Sequence, residues 1–174
     1  MASSETLPQL LMRLSSLSDL PEPVVPEGYT LREATLDDLP GLSNCLAAAF
    51  PEMEWSEEKT QRRLFGDPNV SKIFVVDAPD GTAVATACNR SDPKNFPGAG
   101  YVHWVGTDPT HGGRGLGRLV TMAVLHEFVR QGFTQSVLET DDFRLPAIAL
   151  YEKLGFERQF THPSFEARWA AIPS

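Results

Sequence analysis

Two cysteines, Cys45 and Cys88, are all that the 174 residues contain. That supply excludes a disulfide scaffold, and neither cysteine stands in a CxxC or metal-ligand spacing. No metal is expected, and a reducing, cytoplasmic setting is the default expectation. Excess positive charge is also missing. Fifteen Lys and Arg against 23 Asp and Glu leave a net charge of −8. Without a basic field to displace counterions, nucleic acid is not an expected partner. A cationic partner such as an amine suits this charge, although solubility alone would explain it. No apolar run approaches the roughly 20 residues that cross a bilayer. No basic segment leads into an apolar block near the start, so neither a membrane association nor a secretory leader is expected. What remains is an ordinary apolar content, 41% of residues, in a length that suits one domain with a real core.

The richest stretch is His103–Arg118, HWVGTDPTHGGRGLGR. Tyr101 to Thr107 are mostly aromatic and β-branched and predict a strand. Asp108-Pro109-Thr110 is turn chemistry. From Leu116 the apolar residues Leu119, Val120, Ala123, Val124 and Phe128 recur at helical spacing. Between strand and helix lie Gly112, Gly113, Gly115 and Gly117, with Arg114 and Arg118 among them. Glycines at a helix mouth let backbone N–H groups approach an anion, and the helix N-terminus favours negative charge. A plain tight turn is the bland alternative. Four glycines and two arginines at one junction favour the anion site. The loop has no Gly-Lys-Ser/Thr ending and no G-x-G-x-x-G spacing, which excludes the two common nucleotide loops.

The segment Gly112-Gly113-Arg114-Gly115-Leu116-Gly117 resembles motif A of the GNAT superfamily of N-acetyltransferases, the loop that holds the pyrophosphate of acetyl-CoA. Gly112 departs from it, standing where Gln or Arg is usual. A second stretch, Pro146–Phe156, resembles motif B of the same superfamily through Ala147, Tyr151, Lys153, Gly155 and Phe156. Arg144 stands where that family often has Asn. The resemblance implies an α+β fold, a mixed and mostly antiparallel central sheet flanked by helices. It implies acetyl-CoA as co-substrate, transferring its acetyl group directly to an amine. Its binding residues would be Gly113, Arg114, Gly115, Leu116, Gly117 and Arg118 for the pyrophosphate. Val105, Gly106 and Thr107 would lie along the acetyl-pantetheine arm. Tyr151 would be the general acid toward the departing thiolate. For the base, His103 occupies the central strand, with Glu139 or a carboxylate in 52–58 as competitors. The acceptor amine is unidentified, and the loops 50–58, 90–99 and 161–165 are expected to line its pocket. A homodimer stays open. The other function class is a non-catalytic acyl-CoA sensor or partner-binding module.

The remaining chain gives a scaffold. Leu7, Leu10, Leu11, Leu14 and Leu17 share one helical face, followed by a proline-rich linker at 21–26. Residues 1–27 therefore read as an amphipathic helix and linker outside a domain spanning 28–174. Tyr29–Glu33 predicts a first strand. Thr35 with Asp38 is a capping-box-like helix start. Ser56 is expected to cap a second helix. Pro79-Asp80-Gly81 joins two strands as a hairpin. Ser136–Thr140 predicts another strand, and residues 156–160 and 165–169 predict two closing antiparallel strands. Helices and strands mixed in this order argue against a doubly wound parallel sheet.

Overall fold

The structure, a computed structural model, describes residues 7–173. Seven strands form one sheet: β1 (Leu10–Leu14), β2 (Thr30–Glu33), β3 (Val70–Asp77), β4 (Ala83–Ser91), β5 (Gly100–Thr107), β6 (Ser136–Thr140) and β7 (Glu157–Arg158). Their order across the sheet is β2-β3-β4-β5-β6-β1-β7. Every neighbouring pair is antiparallel except β5 and β6, which run parallel. The parallel pair needs a crossover, and the helix that starts at the glycine loop supplies it.

Five α-helices flank the sheet: α1 (Leu39–Ala49), α2 (Glu57–Arg63), α3 (Leu116–Arg130), α4 (Leu145–Lys153) and α5 (Phe165–Ala170). β3 shows how the two faces are built. Phe74 and Val76 enter the cluster that contains α3, while Ile73 and Val75 enter the cluster that contains Leu42 and Leu46 of α1. This is the period of two expected of a strand covered on both faces. Local signals behave as read. Asp38 accepts from the Thr35 backbone N–H at 2.7 Å, and the Ser56 hydroxyl accepts from Lys59 N–H at 3.2 Å. Gly81, at φ +85°, makes the hairpin turn between β3 and β4.

Two expectations are overturned. The leucines near the start are not a peripheral helix. Residues 10–14 are β1, inserted between β6 and β7 in the same sheet as the rest of the chain. Leu10 and Met12 are fully buried, and Leu11 on the opposite face is 7% exposed. A strand covered on both faces reads as a near-continuous apolar run, and its leucine spacing also fits a helix. A division at 27/28 therefore cuts through one sheet. The second correction is at the other end. Phe165, Ala167 and Trp169 alternate like a strand but lie in α5. Phe165 and Trp169 are four apart, a spacing that satisfies either period. Trp169 is 1% exposed and donates its Nε1–H to the Gln159 carbonyl at 2.9 Å. Of the expected strand at 156–160, only Glu157–Arg158 pairs, with β1.

Candidate active site

The parallel pair is short. β5 and β6 pair only at Gly100/Ser136, Tyr101/Val137 and Val102/Leu138. Beyond Val102 the strands part, leaving a V-shaped gap in the sheet. On its other side β5 carries an extra residue relative to β4. Cys88 faces His103 and Thr86 faces Gly106, so two residues, Trp104 and Val105, stand against one. Trp104 sits at φ +49°, outside the ordinary strand region. The register gives neither Trp104 nor Val105 a partner on either neighbouring strand. A bulge thus interrupts the regular ladder where the sheet opens.

Gly106 lines that opening, but its missing side chain has another cause. A Cβ there would come within 2.9 Å of the Ala49 Cβ and 3.0 Å of the Phe50 ring. The glycine lets α1 close on the sheet, and the bulge falls one and two residues earlier.

One arm of the gap is a cavity of about 670 Å³. Val105, Gly106, Thr107, Gly113, Gly115, Leu116, Gly117 and Arg118 line it, with Leu150 and Tyr151 of α4 opposite. Gly113 and Gly115 both stand at φ +75°, with open space where a side chain would be. Gly115 is the N-cap of α3 and no side chain caps that end. The first N–H groups of a helix have no intrahelical acceptor. Those of α3 begin at this loop, and the first helical bond in that turn is from Leu119 to Gly115. Arg118 is on the cavity wall, whereas Arg114 is exposed and does not line it. His111 is held by a 2.9 Å hydrogen bond between its Nδ1 and the Tyr29 hydroxyl, which anchors the loop to the start of β2.

The other arm is a cavity of about 410 Å³, lined by Phe50, Tyr101, His103, Trp104, Glu139 and Asp141 among others. Glu52, Val105, Phe143, Arg144, Ala147 and Tyr151 line both arms. The expected acceptor loops contribute unequally. Phe50, Glu52 and Met53 of the first loop line this cavity, while 90–99 and 161–165 do not.

Tyr151 is 5% exposed and packs edge-on to Phe156 at 5.9 Å. Burial pushes its phenol pKa up, so at neutral pH it stays protonated and has a proton to donate. His103 touches Tyr101 and Trp104, at ring distances of 5.2 and 4.9 Å. Burial, aided by the nearby Arg90 charge, pushes its pKa down to about 4, so the imidazole is neutral at neutral pH. Glu139 accepts a 2.8 Å hydrogen bond from the Tyr101 hydroxyl, across the two strands at the point where they part.

Two features were not legible as site features. Tyr101 read only as a strand residue, and no local signal ties it to Glu139. Arg144 was visible as an unexpected residue ahead of α4. In the folded chain it is ion-paired with Glu52 and, at 3.2 Å, with Asp141. Its guanidinium lies 4.3 Å from the Phe50 ring and 5.1 Å from the Phe143 ring. It therefore ties the lip before α4 to the lip after α1. Among the described residues, no group of three His, Cys, Asp or Glu side chains is placed to hold a metal.

The model of the Acetyltransferase (GNAT) family matches residues 37–156. The chain belongs to this family. Its relatives include the mycothiol acetyltransferase of Saccharomonospora viridis, 31% identical over 166 residues, covering 85% of this chain and 52% of that one. The mycothiol acetyltransferase of Rhodococcus jostii is 34% identical over 158 residues, with the same coverages of 85% and 52%. This chain thus spans about half the length of those curated relatives. Among solved structures, a GCN5-related N-acetyltransferase from Sphaerobacter thermophilus superposes with a TM-score of 0.67 at 22% identity, over 88% of this chain and 50% of that one. The ribosomal-protein-S18-alanine N-acetyltransferase of Escherichia coli gives 0.63 at 23% identity, over 76% and 79%. These likenesses show that the mixed sheet and flanking helices are the GNAT fold.

Proposed function

We infer that this chain is an N-acetyltransferase that uses acetyl-CoA and passes the acetyl group directly to an amine. The observation that carries the reading is the pair of cavities meeting at Val105 and Tyr151, where the sheet opens. One cavity suits a long, anionic carrier and the other a small acceptor. Direct transfer requires both to be held at one point.

The cofactor arm fits acetyl-CoA on its own chemistry. Free N–H groups at the uncapped end of α3 and the open αL glycines Gly113 and Gly115 form a backbone cradle for pyrophosphate. Arg118 adds positive charge at its rim. The unpartnered main chain of Val105 and the adjoining Gly106 and Thr107 face the gap, where an extended amide-containing arm can add to the β5 edge. Bound acetyl-CoA supplies an activated thioester.

The chain's own groups then divide the proton work. Glu139, as a carboxylate, attracts the ammonium form of the acceptor and takes its proton. Tyr101, hydrogen-bonded to Glu139, fixes the carboxylate's position. His103 becomes part of the pocket wall. A neutral imidazole with so low a pKa, beside Arg90, would gain an unfavourable charge by accepting a proton. As the N–C bond forms and the C–S bond breaks, an N–H donor near Val105 stabilises charge on the carbonyl oxygen. Tyr151 gives its phenolic proton to the departing sulfur, so the products are an amide and the free thiol of CoA. The nitrogen sheds two protons in all: Glu139 takes the first from the ammonium, and the second, released as the N–C bond forms, restores the Tyr151 phenol.

Calorimetry with acetyl-CoA, followed by an assay of CoA release against a panel of amines, tests this reading. Binding of acetyl-CoA with amine-dependent release is expected. Absence of acetyl-CoA binding by the folded protein rejects it. Binding without release on a broad panel moves the protein to the sensor class.

A further inference from the structure

The acceptor arm has a charge balance that constrains what enters it. Its wall carries three carboxylates, Glu52, Glu139 and Asp141, and one guanidinium, Arg144. Arg144 is already engaged by Glu52 and Asp141. Asp141 also accepts from the Gln9 side chain at 3.1 Å. Glu139 has only the neutral Tyr101 hydroxyl. The cavity therefore offers one carboxylate without a cationic partner and no cation without an anionic one. His103 adds no positive charge at neutral pH.

The remaining wall is largely apolar, with Met53, Val102 and Leu138 among rings. Phe50, Tyr101, His103, Trp104 and Phe143 contribute rings. Phe143 is 64% exposed at the rim shared by both arms, where it adds apolar surface. An ammonium among ring faces and beside a carboxylate is favoured twice, by the ring quadrupoles and by the anion. A carboxylate or phosphate on the same ligand would face a wall of net negative charge and find Arg144 taken. Like charges brought together at a binding site are costly.

Building on the proposed acetyl transfer, we propose that the acceptor is a small primary amine carried on an apolar or aromatic body, with no anionic group near the nitrogen. Amino acids and phosphorylated amino sugars are excluded by the same wall that attracts the amine. A cavity of about 410 Å³ is sufficient for an arylalkylamine.

The test uses two compounds that differ by one carboxylate, phenethylamine and phenylalanine, with glucosamine 6-phosphate as a third. Acetyl-CoA binding is first measured alone by calorimetry, and CoA release is then followed for each amine with the full chain. Phenethylamine should exceed phenylalanine and the sugar phosphate by about 100-fold or more in kcat/KM. Glu139→Gln lowers all the rates, but it should also narrow the phenethylamine-to-phenylalanine ratio at least tenfold, because the ratio cancels the shared loss of the proton acceptor. Failure of acetyl-CoA to bind rejects the underlying activity. Binding of acetyl-CoA with phenethylamine unused, or used no better than phenylalanine, rejects the substrate class alone. An unchanged ratio in the Gln variant rejects Glu139 as the discriminating charge and overturns the inference in its present form.

Discussion

The two arms of the gap are built from different materials. The larger is walled by main chain: a bulged strand, two glycines at positive φ and an uncapped helix end. The smaller is walled by side chains from five parts of the chain: the residue before β1, the segment after α1, strand β5, strand β6, and the approach to α4 with its first turns. Backbone recognition depends on conformation and tolerates many side chains. Side-chain recognition depends on identity. A co-substrate shared by many acetyltransferases fits the first arm, and a variable acceptor fits the second.

The comparison predicts which changes affect both arms and which affect one. The largest effect is expected from β1, because it backs β6 along the acceptor side and holds β7. Truncation to Gly28 should abolish cooperative unfolding, as followed by circular dichroism. The milder Met12→Ala should destabilise by about 2–5 kcal/mol. If the truncated chain folds and binds acetyl-CoA, β1 is an accessory strand and the acceptor arm is built without it.

Gly117→Asp should separate the arms. Gly117 lies in the first turn of α3, and a Cβ there would meet Leu150 and Thr107 only at ordinary contact, 3.4 and 3.5 Å. A carboxylate at a helix N-terminus is compatible with folding, but it competes with pyrophosphate for the same donors. Acetyl-CoA affinity should fall about 100-fold by calorimetry, a fold-change that the like-charge cost makes reasonable, with thermal stability near that of the parent. Equal affinity would remove the glycine loop from the site.

Tyr151→Phe sharpens the junction. Its ring packing is kept and only the donor is lost, so kcat should drop by about ten- to a hundredfold with little change in acetyl-CoA binding. A matched loss of stability and affinity would identify a packing residue instead.

The smallest effect concerns His103 and acid. Its native pKa of about 4 lies below the ordinary 6.5, so the folded protein binds fewer protons there than the unfolded chain. Its contribution to stability is complete above pH 6.5 and declines as pH falls toward 4. His103→Gln should flatten the loss of stability across that window in chemical denaturation. The parent's kcat/KM should show no limb near 6.5 that disappears in this variant. Such a limb would return His103 to the role of proton acceptor.

The larger arm was readable because its parts are contiguous. Four glycines between a strand and a helix specify a loop conformation and an open helix end within one short stretch, whatever lies around them. The stretch around Tyr151, which lines both arms, stood out by resemblance because it carries a motif of its own. The smaller arm was not readable in the same way. The Tyr101–Glu139 bond joins residues 38 apart in sequence, and Arg144 meets Glu52 across 92.

The sequence by itself determined the GNAT resemblance, the glycine cradle, the helix caps and the hairpin, because each depends on local dihedral preference or on residues within a turn or two. Tertiary structure alone decided that Leu10–Leu14 is an internal strand and that Phe165–Ala170 is a helix. In both segments the apolar spacing satisfies two periods, and burial against neighbours selects one. It also decided that Gly106 serves α1, that the bulge falls at Trp104 and Val105, and that Arg144 spans the mouth of the gap. Those facts follow from which elements the sheet order makes adjacent, and adjacency is set by packing over the whole core.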